Sequence, residues 1–432
     1  MPHFSFWRGG PYHRLVSNAG GRPLAPGQAR GNPSKHSRPA SDRRHAPGQS
    51  NSNTSTRRIE QNRAPEQHTR NAGPMTTDNQ PSDTYSATLA RSAAIEEELK
   101  VTPEKFRVLT GDRPTGALHI GHLFGSLNNR VRLQNLNVPI FIVIADYQVL
   151  TDRDTFKDIA QNIRELTLDY LAAGLDPEKC VIFPHSHVPE LNQLLLPFLT
   201  LVSMAELDRN PTIKEEIQAA GLKQINAGMY TYPVHQAADI LFCKANLVPV
   251  GKDQIPHLEM SRLISRRFNK RFAKKKRVFP EPHPLLSEAP VILGLDGGQK
   301  MSKSRNNAVM LGATADETAN LIKKAKTDSE RQITYDPDNR PEVANLLLVT
   351  SLCTGRDPAS IAEDIGDGGA GQLKKTVTEA LNEYLKDLRA RRAELAKDEG
   401  LVHRVLADGV EKARTVAIET LDEVRQVMNM TF

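Results

Sequence analysis

Val138–Ala145, which reads VPIFIVIA, constrains this chain more than any other stretch. A strand with one wet face alternates apolar and polar residues. A run that is apolar throughout is buried on both faces, and such strands belong to parallel sheets covered by helices on each side. The flanking sequence agrees. Phe106–Thr110 reads as a strand and Gly111–Gly116 (GDRPTG) as a turn. A helix is expected from about His119, with Leu123, Leu127 and Val131 at helical spacing. Thr155–Ala173 reads as an amphipathic helix with Ile159, Ile163, Leu166 and Tyr170 on one side, stopped by Gly174. Val181–Phe183 is the next strand. Strand and helix in alternation wind through right-handed crossovers into a doubly wound, Rossmann-like parallel α/β sheet.

Residues 190–230 read as a helical insertion between the halves of that sheet. Leu247–Gly251 is a late strand ending in a glycine turn, and Gln254 to about Phe268 is helical. Residues 296–306 form a loop of Gly, Ser, Lys and Asn. Beyond about Ala315 only helices are expected. One carries Val377, Leu381, Leu385 and Leu388; another carries Val402, Val405, Leu406, Ala413, Val416 and Val424. The expected organisation is an extension over 1–95, a catalytic α/β domain over 104–310 and a C-terminal α-helical domain over 311–432.

A chain of 432 residues has room for two to three such units. No apolar run approaches the roughly 18 residues of a membrane span, so a spanning helix is excluded. Cys180, Cys243 and Cys353 are widely spaced with no CxxC, which argues against a disulfide framework or a structural zinc site and for a reducing compartment. Residues 1–74 hold twelve Lys and Arg against three acidic residues. That excess is larger than the formal +6 of the whole chain, so the remainder is acidic on balance. Any nucleic-acid contact by the body must come from local patches. The leader is rich in Arg and poor in acids, as organelle transit peptides are. Gly9-Gly10, Pro11, Gly20-Gly21, Pro23 and Pro26 break it up, and a start at Met75 is the plainer expectation. A short helix is expected over Thr88–Leu99. The sole tryptophan, Trp7, lies in the leader.

Two segments carry chemistry. His119-Ile120-Gly121-His122 sits at a strand-to-helix turn, where a helix N-terminus favours phosphate and glycine lets backbone approach a nucleotide. His119 and His122 can project to one side and offer neutral or cationic imidazoles. Lys300-Met301-Ser302-Lys303-Ser304 lies in a glycine-bounded loop and offers two ammonium groups that can close on a leaving pyrophosphate. Either segment alone has a bland reading, as surface histidines or as a solvated basic loop. Together they are far more specific.

The pair, in this order, resembles the signature of class I aminoacyl-tRNA synthetases. A third segment resembles the tryptophanyl-tRNA synthetases. It runs Tyr230-Thr231-Tyr232-Pro233-Val234-His235-Gln236-Ala237-Ala238-Asp239-Ile240-Leu241, followed by Val248-Pro249-Val250-Gly251-Lys252-Asp253-Gln254. The resemblance covers about residues 105–430. It implies ATP-dependent activation of L-tryptophan with Mg²⁺ on the phosphates, transfer to tRNA(Trp), a homodimer and no membrane association. A cytoplasmic location is expected, or an organelle if residues 1–74 are a transit peptide. His119, His122, Lys300 and Lys303 are the implied catalytic residues. ATP would also meet Arg113, Pro114, Thr115, Gly121, Gly251, Lys252, Asp253, Val291, Met301, Ser302 and Ser304. Asp239 is the implied acceptor of the indole N–H, with Tyr232, Gln236, Gln254 and Gln148 bordering the amino acid. Gln236 stands where many members carry Met, and Gln148 where many carry His. This suggests a divergent bacterial-type subtype with a more polar pocket.

Other readings stay open. They are a tyrosyl-specific synthetase, a catalytically silent RNA-binding relative, and a small-molecule adenylyltransferase using only the HxGH turn. Asp239 could instead cap or pair within its helix. His185-Ser186-His187 with His235 and His257 could suggest a metal site, but no fourth ligand has suitable spacing. The basic run from Arg266 to Arg277 suits RNA phosphate or a solvated helix end. Arg389, Arg391 and Arg392 are the expected RNA contacts on the C-terminal helices.

Overall fold

A computed structural model describes residues 81–152, 158–210, 213, 226–251, 254–274, 276–286, 291–298, 300–302 and 305–432. Five described strands build one parallel sheet: β1 (Val108–Asp112), β2 (Ile140–Ile144), β3 (Cys180–Pro184), β4 (Leu247–Val250) and β5 (His283–Leu286), in the order β3-β2-β1-β4-β5. β1 pairs with β2 from Val108↔Ile140 to Asp112↔Ile144, and β2 with β3 from Ile140↔Cys180 to Ile144↔Pro184. Every residue of β2 is buried. Ile140, Ile142 and Ile144 enter one core; Phe141 and Val143 enter the other. The VPIFIVIA run is thus a central strand covered on both faces, as its composition requires. The chain leaves β1 toward β2 and β3, then returns to β1's other side with β4. That reversal puts a topological switch point between β1 and β4, where open α/β sheets bind ligands beyond the strands' C-terminal ends.

β5 was not legible as a strand. It holds Pro284 and is four residues long. It also lies at the sheet edge, where a proline's missing N–H costs no ladder bond. The helix Pro81–Val101 covers it: Ser92 Oγ accepts the Leu286 N–H at 2.9 Å, and Ile95 and Leu99 are fully buried. This helix is longer than the expected Thr88–Leu99 and begins inside the stretch expected as an extension; residues 1–80 lie outside the described residues. The expected start of the next long helix, at Thr155, also lies outside them. That helix is described as Ile159–Ala173 and ends at Gly174 in the left-handed region. No helix among the described residues is long and apolar enough to cross a membrane.

The C-terminal helices are packed into both cores. Leu373, Val377, Leu381, Leu385 and Leu388 of the helix Gly369–Leu395 join the first. Ala413, Ala417, Leu421 and Val424 of the helix Leu401–Val427 join the second. The last helix lies against the edge strand β3 so closely that a Cβ on Gly409 would sit 1.9 Å from the Ile182 carbonyl oxygen. In a free helix Gly→Ala stabilises by about 1 kcal/mol. Here Gly409→Ala is expected to destabilise by about 1–3 kcal/mol through overpacking against backbone. Urea denaturation reads the sign, and a stabilised variant would show that the helix stands off the sheet.

Candidate active site

The turn after β1 rests on a buried ion pair. Asp112 Oδ2 accepts hydrogen bonds from Arg130 Nη1 and from the Tyr170 hydroxyl, each at 2.6 Å, and Arg130 is 2% exposed. Burial by itself would push the Asp112 carboxyl up. The charge and hydrogen bond of Arg130, helped by His122 and Tyr170, bring it down to about 2 instead. Its folded value therefore lies below the unfolded one. The linked stability, about 2 kcal/mol, is present above pH ~4 and lost as pH falls through about 2. The stability gap between wild type and Asp112→Asn is expected to narrow over that window in denaturation at stepped pH. A gap independent of pH would break the assignment. Neither Arg130 nor Tyr170 was legible as a site residue, because the carboxylate that recruits them lies on a different element.

His119 caps the helical turn Ile120–His122. Its Nδ1 accepts the Gly121 N–H at 3.1 Å, and the His122 Nδ1 accepts the His119 N–H at 3.3 Å. With both Nδ1 atoms accepting, each neutral ring carries its proton on Nε2. Burial, then His122 and Lys300, lower His119 to about 3. Burial also lowers His122, with Lys300 and Arg130 working against the raising field of Asp112. Of the two protonation states open to these imidazoles, the structure selects the neutral one. They offer Nε2–H dipoles rather than charge. The rings lie 3.9 Å apart, and a Cβ on Gly121 would come within 2.9 Å of the His119 ring.

The stretch that follows the Lys300 loop is sewn to this turn by main chain. Ile120 N–H donates to Val309 O at 3.0 Å, and Leu311 N–H donates to Leu118 O at 2.9 Å. Upstream, Met301 N–H donates to Ile292 O at 3.1 Å, and Ser302 N–H to Asn307 Oδ1 at 2.8 Å. Asn307 Nδ2 in turn donates to Asp296 Oδ1 at 3.0 Å. Met301 is buried in the core while Lys300 is exposed. The buried Met therefore anchors the loop, and Lys300 acts on both imidazoles through space. Asn307 and Asp296, which hold this loop, were visible in the sequence only as loop composition. Arg113 and Thr115 are exposed and Pro114 is buried on the same turn. Gly251 is exposed at the end of β4, and Val291 is 64% exposed. Lys252, Asp253, Lys303 and Ser304 lie outside the described residues.

The third segment forms the helix Ala227–Leu241. Asp239 on it is 2% exposed and faces His185 from β3's end, with His235 one turn back on its own helix also close by. The rings of Tyr147 and His185 lie 5.1 Å apart, and those of His185 and His235 5.0 Å. Gln148, Gln236 and Gln254 are half-buried. Tyr232 is buried, and its hydroxyl is 3.1 Å from His257 Nε2. Asp146, Tyr147 and His185, like Arg113 and Gly251, follow the C-terminal ends of strands. The sheet thus gathers these sequence-remote groups along one edge.

Arg389, Arg391 and Arg392, the expected RNA contacts, are each hydrogen-bonded within the chain; Arg389 and Arg392 are half-buried and Arg391 is exposed. Arg389 donates to Thr318 Oγ1 at 2.6 Å and to Asn382 Oδ1 at 2.8 Å. Arg391 donates to Ala172 O at 3.0 Å. Arg392 pairs with Asp169 at 2.6 Å and with Glu165. Asp169 also accepts the Leu118 N–H at 2.6 Å, just before His119. Guanidiniums on one face of a helix read as a basic patch until the carboxylates and carbonyls of a packed neighbour are seen.

The family model for class I tRNA synthetases (W and Y) matches residues 102–386. A tryptophan–tRNA ligase of Streptococcus agalactiae is 43% identical over 338 residues, covering 75% of this chain and 98% of that protein. One of Clostridium longisporum is 42% identical over 335 residues, covering 75% and 97%. The solved tryptophanyl-tRNA synthetase of Campylobacter jejuni complexed with ADP and tryptophan superposes with a TM-score of 0.65 at 31% identity, over 75% of this chain and 99% of that one. The paired motifs, the parallel sheet that joins them and this match along nearly the full length of the relatives place the chain in the tryptophanyl branch of the class I aminoacyl-tRNA synthetases.

Proposed function

We propose that the chain activates L-tryptophan with ATP and charges tRNA(Trp). The substrate carboxylate attacks the α-phosphorus in line and expels pyrophosphate. The 3′-terminal ribose hydroxyl of the tRNA then attacks the aminoacyl carbonyl and releases AMP. No covalent enzyme intermediate is required. Catalysis is positioning plus electrostatic stabilisation of the phosphoryl charge. The observation that carries this reading is that Lys300 bears on two neutral, Nε2-protonated imidazoles at the end of β1, from a loop whose continuation, Val309–Leu311, is hydrogen-bonded to their turn. Those Nε2–H groups would meet phosphate oxygens, and Lys300 and Lys303 would follow the pyrophosphate. Arg113, Pro114, Thr115, Gly121, Gly251, Lys252, Asp253, Val291, Met301, Ser302 and Ser304 would border the nucleotide. Asp112 is already closed by Arg130 and Tyr170, so Mg²⁺ would ride on the triphosphate rather than on that carboxylate.

Asp239 is the acceptor proposed for the indole N–H, with Gln148, Gln236 and Gln254 nearby. The working unit is proposed to be a cytoplasmic homodimer. Amino-acid-dependent ATP–pyrophosphate exchange across the standard amino acids tests the reading. Tryptophan is expected to exceed tyrosine and phenylalanine by about 10⁴-fold or more in kcat/KM. Exchange driven by tyrosine would replace the assignment, and no exchange with intact tRNA binding would make the chain a silent relative.

A further inference from the structure

His185 is fully buried at the end of β3, and no part of the mechanism above uses it. With His235 and Asp239 it offers three potential ligand atoms, all within 4.8 Å of one another. The lone pairs argue against a metal. The Tyr147 N–H points at His185 Nε2 from 2.7 Å, and two donors cannot face each other at that distance. Nε2 is therefore the acceptor, and the proton of the neutral ring sits on Nδ1. A cation at Nδ1 would have to displace that proton. His235 Nε2 is already 2.6 Å from Asn192 Oδ1.

The Nδ1 proton has one direction to go. His185 Nδ1 lies 3.4 Å from Asp239 Oδ1, too far or too askew for a formed hydrogen bond, and both atoms are buried with no hydrogen-bond partner among the described residues. The ring is braced from behind. Asp146 Oδ1 accepts the N–H groups of Tyr147 and Ser186, each at 3.1 Å, and Asp146 Oδ2 accepts the Ser186 hydroxyl. Asp146 Oδ1 is also 3.2 Å from His185 Nε2, so the two acceptors share the Tyr147 N–H between them. One carboxylate thus clamps the ends of β2 and β3 and fixes the imidazole plane.

We propose that His185 is a positioning residue for substrate selection. Its Nδ1–H, poised 3.4 Å from Asp239 Oδ1, closes on that oxygen when the amino acid binds and leaves the other oxygen to the ring N–H of the substrate. This rests on the reading of Asp239 as that N–H's acceptor. A buried carboxylate lacking the His185 donor would reorient toward other donors, and the substrate would have to realign it on binding. The cost falls on the amino acid and not on ATP.

The test is pyrophosphate exchange with His185→Leu, His185→Gln, Asp239→Ala and the His185→Leu/Asp239→Ala double variant. His185→Leu is expected to raise the KM for tryptophan by roughly 10- to 100-fold, the range of a hydrogen bond to a charged group, with the KM for ATP unchanged. Glutamine presents one acceptor and one donor, so His185→Gln is expected to recover most of the loss. In the Asp239→Ala background, His185→Leu is expected to add nothing, since the group it acts through is gone. Equal losses in the Leu and Gln variants, a parallel rise in the KM for ATP, or additive effects in the double variant would overturn the proposal. If His185→Leu does not fold, the ¹⁵N shifts of the wild-type His185 ring decide: a protonated Nδ1 supports the assignment and a protonated Nε2 ends it. An Asp239→Ala protein with normal tryptophan KM and selectivity removes the parent reading. A deficient Asp239→Ala beside a normal His185→Leu removes only this inference.

Discussion

Lys300→Ala is expected to slow tryptophan-dependent pyrophosphate exchange by about 10²-fold or more. Both histidines of the HIGH-like turn are neutral by burial and by the field of Lys300 itself, so they contribute dipoles. Positive charge for the phosphates has to come from other groups, and Lys300 is one whose field already reaches both rings. Lys300 is exposed on an anchored segment: Met301 is buried beneath it, and Ser302 N–H and Asn307 fasten the following turn. A charge that meets pyrophosphate mainly as it departs stabilises the transition state more than the ground state. The loss should therefore appear in kcat, with little change in the KM for tryptophan. Lys300→Arg keeps the charge and should retain part of the rate. Near-normal exchange in Lys300→Ala would remove the lysine from the chemistry.

Asp239→Ala is expected to collapse the discrimination between tryptophan and phenylalanine, by a factor of about 10⁴ if Asp239 is the principal N–H acceptor. A pocket that hydrogen-bonds a ring N–H rejects an analogue without it, because the buried acceptor is then left unpaired. Phenylalanine offers no such donor. Asp239 is 2% exposed, and its Oδ1 has no hydrogen-bond partner among the described residues apart from the long approach of His185. Competition between the two amino acids in the exchange assay measures the ratio directly. Unchanged selectivity would place the amino-acid pocket elsewhere in the chain.

Much of the fold was legible because local patterns and tertiary environment agreed. VPIFIVIA could only be a strand with two apolar neighbours, and Gly174 ended its helix in the left-handed region where an L side chain is strained. β5 was not legible, because a proline-bearing tetrapeptide becomes a strand only when an edge is there to receive it. The ties of the three arginines of the helix Gly369–Leu395 were not legible for a related reason. Their partners Asp169, Ala172 and Thr318 are brought near only by packing.

The sequence by itself determined which chemical groups this protein has and roughly where the chain turns: two histidines at a strand-to-helix corner, two lysines in a loop, one aspartate on an apolar helix. Tertiary structure decided their state and their neighbours. Protonation depends on burial and on charges distant along the chain, so the neutrality of His119 and His122 had to wait for Lys300 and Arg130 to be placed. Hydrogen-bond direction likewise depends on which donor arrives from another strand. For that reason the His185 proton could be assigned to Nδ1, the nitrogen facing Asp239, only once Tyr147 was seen to donate to Nε2.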